Sequence, residues 1–221
     1  MNWRINKAAQ TVQAAATDHD YQLINQLARV ELTPEDIYIF SVRACDNLVD
    51  RDNERFTEEC LEALVPMFKG KPVLFDHRWS VAAQTARIYD TALVTEGNTT
   101  WLQAKCYMLR LGNEGLIAAI DGGIVREISV GCAVGKATCS VCGELYYACD
   151  HRRGQEYDGK RCVVELSEPQ DAYEISFVAV PAQREAGVEK GAQSAENPGM
   201  TIEETKRGFA LLELENMRFG G

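Results

Sequence analysis

The chain has 221 residues, 46% of them hydrophobic and 25% charged, which excludes a mainly disordered chain and is enough to bury a core without disulfide staples. Its 33 acidic and 23 basic residues leave a formal charge of −10, which argues against sequence-independent nucleic-acid binding, because that needs a net basic footprint. Eight Cys stand against three His, at His19, His77 and His151, so His-dependent chemistry is confined to a short list.

The first residues contain no apolar run of signal-peptide type, and the most apolar stretches, 116–120 and 175–180, are too short to cross a bilayer. The expected setting is intracellular and reducing, where eight Cys are better explained by thiols and metal than by disulfides. Residues 3–30 are rich in Ala, lack Gly and Pro, and place Val12, Ala15, Ala16, Leu23, Leu27 and Val30 at helical spacing. Asp18, His19 and Asp20 suggest a break in that helix, and Thr33-Pro34 ends it. The alternation in 36–44 predicts a strand. Residues 57–68 predict a helix with Thr57 as N-cap and Glu58 and Glu59 in the first turn, where the helix dipole favours acids.

Residues 73–76 form a short apolar strand that runs into His77. Segments 84–94 and 99–107 read as a strand pair joined by Glu96-Gly97-Asn98. Residues 113–120 read as a short helix stopped by Gly122-Gly123, and 127–134 as a strand carrying Ser129. A turn-rich insertion follows over 139–162, then a last strand over 172–180, stopped by Pro181. The composition of 187–199 is that of a linker. Thr201 and Glu204 make a capping box for a terminal helix over 201–217. The chain therefore divides into an N-terminal helical segment (1–34), a β core (35–188) with a Cys-rich insertion (138–163), and a linker with a C-terminal helix (189–221). The fold class is α+β: a mostly antiparallel β-barrel or sheet core flanked by helices, with a small zinc-binding insertion.

Cys45, Cys60, Cys106 and Cys132 lie among apolar or strand-like residues and read as small buried hydrophobes. Cys139, Cys142, Cys149 and Cys162 instead crowd together with His151. Cys139-Ser-Val-Cys142 followed by Gly143 is a metal knuckle, and a structural Zn²⁺ takes four N or S ligands in a tetrahedron. Cys139, Cys142, Cys149 and His151 complete that set. Cys162 is a fifth candidate that could replace His151, because one residue separates Cys149 from His151. Four protein ligands leave no open position, so the metal is structural. The insertion has too few apolar residues to fold alone, and metal binding would supply its folding energy.

Two segments place polar groups in apolar settings. Lys71-Pro-Val-Leu-Phe-Asp-His77 delivers a His at a strand end. Arg126-Glu-Ile-Ser-Val-Gly-Cys132 carries Ser129 between Ile128 and Val130. A hydroxyl is a weak nucleophile unless an adjacent base takes its proton, and His has the pKa for it. Backbone N–H groups around Gly131 are candidates to donate to a developing oxyanion.

Four segments in order resemble the prohead (capsid maturation) proteases of tailed bacteriophages, which share a fold with the herpesvirus assemblin proteases. They are Ile39-Phe-Ser-Val-Arg-Ala44 with Val49-Asp-Arg-Asp-Asn-Glu54, Gly70-Lys-Pro-Val-Leu-Phe-Asp-His77, Glu127-Ile-Ser-Val-Gly131, and Tyr173-Glu-Ile-Ser-Phe-Val-Ala-Val-Pro-Ala182, covering about 36–188. The resemblance implies a serine endopeptidase with Ser129 as nucleophile and His77 as general base. Herpesvirus-type relatives use a second His as third member. Here His19 and His151 are poorly placed, so a carboxylate is expected: Glu174 first, with Asp171 and Asp76 as alternatives. The resemblance further implies a capsid maturation protease that cleaves scaffold or capsid-protein segments, and itself, in a procapsid within the host cytoplasm. Capsid and scaffolding proteins are the expected partners, with homo-oligomerisation or procapsid association and no nucleic acid or membrane. The competing expectation is a non-catalytic scaffold or portal-associated structural protein on the same fold.

Overall fold

A computed structural model describes residues 16–189. Asp18, His19 and Asp20 begin a helix rather than break one: α1 runs Asp18–Leu27, with Thr17 as its N-cap. The Thr17 hydroxyl accepts from Asp20 N–H, and the Asp20 carboxylate accepts from Thr17 N–H at 2.9 Å, a reciprocal capping box. The helix ends well before Thr33-Pro34, and residues 3–15 of the expected helix lie outside the described residues. Asp20 is buried and also accepts from Tyr89 Oη at 3.0 Å and Lys105 Nζ at 2.9 Å, which pins α1 to the sheet. Burial pushes its carboxyl up, but hydrogen bonds from Thr17, Lys105 and Tyr89 outweigh burial and hold it at about 2.

The remaining elements follow in order: β1 (Ile37–Asp46), β2 (Glu54–Phe56), α2 (Glu58–Phe68), β3 (Pro72–Phe75), β4 (Ala86–Glu96), β5 (Thr99–Leu109), α3 (Glu114–Asp121), β6 (Ile128–Cys139), β7 (Glu156–Tyr157), β8 (Lys160–Arg161), β9 (Val164–Phe177) and β10 (Gly187–Val188). Thr57 caps α2 by accepting from Cys60 N–H, as expected. Cys60, Leu61, Leu64 and Phe68 form the buried stripe of α2, and it packs against β9, β4 and β5. The core joins that stripe to Phe40, Val42, Ile88, Leu102, Ile128, Ile175 and Phe177. Cys45, Cys60 and Cys106 are buried in it as expected, while Cys132 is half-buried.

The α+β reading stands, but the sheet is mixed and no barrel closes. Its order is β10-β1-β5-β4-β3-β9-β2, with β6 also on β9. The β3–β9 and β2–β9 pairs are parallel and the others antiparallel. Two further expectations are corrected. The strand predicted over 172–180 starts earlier, at Val164, and ends at Phe177. It is also not the last strand: Gly187–Val188, expected to open a linker, pairs with β1 as β10. The rest of that linker and the helix over 201–217 lie outside the described residues. No helix among the described residues is long and apolar enough to cross a membrane.

Candidate functional site

β9 organises the site because it has neighbours on both edges. On one edge β3 runs parallel, with Leu74 opposite Ser176 and Phe75 opposite Phe177. On the other edge β6 runs antiparallel, with Ser129 opposite Ser176 and Gly131 opposite Glu174. Side chains alternate along a strand, and directly opposed residues share a face. Ile128, Ile175 and Phe177 are buried in the hydrophobic core. Glu174, Ser176 and Ser129 therefore stand together on the other face.

His77 reaches that face through an unusual turn. Asp76 and His77 have φ of 51° and 54°, two consecutive non-glycine residues in the left-handed region, each costing on the order of 1–3 kcal/mol. The turn is held by Asp76 N–H donating to Phe177 O at 2.9 Å, Arg78 N–H to Phe75 O at 2.9 Å and His77 N–H to Ser176 Oγ at 3.1 Å. The result is His77 Nδ1 at 2.7 Å from Glu174 Oε1. Ser176 Oγ also donates to Glu174 Oε2 at 2.5 Å, so both carboxylate oxygens are engaged.

Glu174 is 1% exposed and the His77 side chain 41%. The carboxylate is thus withdrawn from water while the ring keeps an edge open to solvent. Gly131 makes room for this. A Cβ built there would overlap Glu174 Oε1, so the glycine after Ser129-Val130 has a steric role in seating the carboxylate. The ladder shifts register between Gly131 and Cys132, where Glu174 and Ala172 are the partners and Tyr173 is left over. That bulge turns Tyr173 outward against Trp79, with ring centroids 5.6 Å apart.

The alternatives for the third role are placed elsewhere. Asp171 pairs with Lys71 Nζ at 3.2 Å, and Asp76 is exposed. His19 lies exposed in the first turn of α1. Ser176 was not singled out in the sequence. The available signal was Glu174-X-Ser176 flanked by Ile175 and Phe177, two polar residues on one face of a strand whose other face is apolar.

The Cys-rich insertion leaves from the far end of β6 and returns at the start of β9. Ser140 N–H donates to Val163 O at 2.9 Å, and Val163 N–H to Ser140 Oγ at 2.9 Å, closing its base. Gly143, at φ 77°, permits the knuckle turn, and its N–H donates to Cys139 O. The ligand atoms of Cys139, Cys142, Cys149 and His151 all lie within 4.8 Å of one another and could hold a metal ion. His151 Nδ1 is buried without a hydrogen-bond partner among the described residues, and its ring meets Tyr157 edge-on at 4.4 Å. A buried imidazole nitrogen with no partner is what a missing ligand bond would leave. Cys162 Sγ lies 3.6 Å from Cys139 Sγ, beside the cluster but outside the set of four mutually close donors. Burial pushes the Cys139 thiol up, but backbone N–H groups of Cys142 and Val141 and the thiols of Cys162 and Cys142 bring it down to about 6. Burial and the neighbouring Cys139 push Cys162 up to about 11.

Comparison with family models, with curated proteins and with solved structures returned no match for this chain.

Proposed function

We propose that this protein is a serine endopeptidase of the prohead type, acting on scaffold or capsid-protein segments, and on itself, within an assembling procapsid. The observation that carries the reading is the buried Glu174 carboxylate on His77 Nδ1, with Ser129 on the same face of the neighbouring strand. A non-catalytic scaffold has no use for a withdrawn carboxylate aimed at one nitrogen of a ring whose other edge is open. His77 Nδ1–H donates to Glu174, which fixes the tautomer and leaves Nε2 as the base.

In the reaction, Ser129 Oγ attacks the scissile carbonyl while His77 Nε2 takes its proton. Glu174 stabilises the imidazolium that forms. The imidazolium then gives the proton to the leaving amine, and the C–N bond breaks to leave an acyl-Ser129. Water gives its proton to Nε2 and attacks the ester; the acyl C–O bond breaks, the imidazolium returns the proton to Ser129 Oγ, and the carboxylic acid product leaves. Ser176 is a positioning residue: it holds Glu174 Oε2 and the His77 backbone at once.

The metal in the insertion is Zn²⁺ in this reading, with Cys139, Cys142, Cys149 and His151 as ligands and Cys162 as a thiol beside Cys139. Zn–S bonds of ~2.3 Å place tetrahedral ligands ~3.8 Å apart, close to the spread of these donors. Held by these residues, the ion would fix the fold of the lobe and would have no open position for the peptidase step.

Mass spectrometry of the purified full chain beside Ser129→Ala tests the peptidase reading. Fragments present in the wild type and absent from the variant are the expected result. Identical fragment patterns in both, or an intact wild type that also leaves its co-expressed capsid and scaffold proteins intact, would overturn it in favour of the structural reading.

A further inference from the structure

A cleft of about 390 Å³ lies outside the site described above, lined by Val49, Asp50, Arg51, Asn53, Arg161, Val163 and Arg184. Three arginines from three separate segments meet there. None of their guanidinium groups makes an ion pair or a side-chain hydrogen bond among the described residues. Elsewhere Arg43, Arg55, Arg126 and Arg153 each pair with an acid. Arg29, Arg78 and Arg152 also lack an acidic partner among the described residues, but what distinguishes Arg51, Arg161 and Arg184 is that they line one concavity together.

The cleft is built, not a chance meeting of loops. Arg51 N–H donates to Ala182 O at 3.1 Å, tying the first segment to the one that bears Arg184. Val164 N–H donates to Asn53 O at 2.9 Å, and the Asn53 side chain lies against Gly154, tying it to the segment that bears Arg161. Asp50 is the one acid in the lining, and its Oδ1 is turned inward to accept from Asp52 N–H and Glu54 N–H at 2.9 and 2.8 Å. Glu54 is taken up by Arg153. The Asp50 carboxylate is thus committed to its own loop, which leaves three guanidiniums against one acid in the lining, and planar guanidinium forks match carboxylate geometry.

We infer that this cleft binds a polypeptide segment carrying neighbouring carboxylates, through Arg51, Arg161 and Arg184, with Val49 and Val163 as its apolar contacts. A nucleic acid is disfavoured by the acidic surface and by the absence of any aromatic side chain in the lining on which a base could stack. The inference stands independently of the peptidase reading.

The test uses the metal-loaded full chain and a fluorescent hexaglutamate peptide, followed by anisotropy at low and at physiological salt. Saturable binding is expected. It should weaken about tenfold or more in each of Arg51→Ala, Arg161→Ala and Arg184→Ala, the loss of one charge-assisted contact, and also weaken with salt. These side chains are exposed, so the variants should keep the wild-type melting temperature; Arg29→Ala, an exposed arginine in another region, should bind like the wild type. Absence of saturable binding, or an equal loss in Arg29→Ala, would overturn the proposal. Tighter binding of inorganic phosphate or of a single-stranded oligonucleotide, lost in the same three variants, would overturn it in favour of a phosphate site.

Discussion

The histidine–carboxylate site and the cysteine lobe sit at opposite ends of β6 and β9, and different forces hold them. At the first, the sheet does the positioning. Glu174, Ser176 and Ser129 occupy fixed places in a ladder whose other face is core, and His77 is locked by three backbone contacts around a strained turn. At the second, the segment between Cys139 and Cys162 contributes almost nothing to the core, and its ordered pieces are two short strands and a single turn of helix. Its donors converge around a point rather than on a hydrophobic face. The site on the sheet is preorganised by folding, whereas the lobe, in the reading proposed above, would draw its order from a bound ion.

The contrast is sharpest in activity. Ser129→Ala and His77→Ala should each remove cleavage, a loss on the order of 10⁴–10⁶ in kcat; Ser129→Ala should leave the melting temperature unmoved, whereas His77→Ala strips the buried Glu174 of a partner and should lower it. Glu174→Gln should cost about 10²–10⁴ in kcat, with KM little changed. Cleavage kinetics on one substrate compare all three, and an unaffected Glu174→Gln would remove Glu174 from the mechanism. Gly131→Ala approaches the same pair through packing. Its methyl would displace Glu174, with a similar loss of activity and a destabilisation of about 1–3 kcal/mol. Full activity there would mean that Glu174 can sit elsewhere and still serve.

Metal removal should break the comparison in the other direction. A chelator should speed amide exchange within 139–162 by about a hundredfold while the ladder around Ser176 stays protected, and metal analysis should find about one equivalent of zinc beforehand. Loss of protection at Ser176 as well would mean that the two ends fold as one unit. Purified protein with no metal would reject the zinc reading.

Much of this was legible in the sequence, and what was not has physical reasons. The strand into His77, the Ser129 strand, the capped α2 and the knuckle are local patterns of hydrophobicity, capping and Gly placement, and local patterns survive folding. The parallel pairing of β3 on β9 is not local: no turn connects the two strands, so nothing near either one announces it. The first half of β9 is not legible because Glu165, Ser167, Glu168, Pro169, Gln170 and Asp171 make a polar run without the apolar alternation of a strand. They form a bulged, half-exposed strand, with Glu168 at φ 54°. The start of α1 was misread because Thr17 and Asp20 are polar residues cooperating as a cap. The seating of Glu174 by Gly131 and Ser176 needs both ladder partners, so it emerges only with the register.

The smallest expected effect concerns α1, which is held through Asp20. Its folded value of about 2 lies below the ordinary 3.8. Its contribution is therefore complete above about pH 5 and lost as the pH falls through about 2 towards about 1. Asp20→Asn should lower the melting temperature by a few degrees at pH 7 and by much less at about pH 1. An equal deficit at both values would show that the carboxylate charge is not what holds the helix.

The central claim, that Ser129, His77 and Glu174 act as one unit, is tested most directly with a fluorophosphonate probe, which needs no knowledge of the natural substrate. In intact-protein and peptide mass spectrometry the probe should modify the wild type once, at Ser129. The labelling rate should fall by about a hundredfold or more in His77→Ala, fall less in Glu174→Gln, and be zero in Ser129→Ala. Labelling at another residue, or a rate in His77→Ala equal to that of the wild type, would contradict the claim.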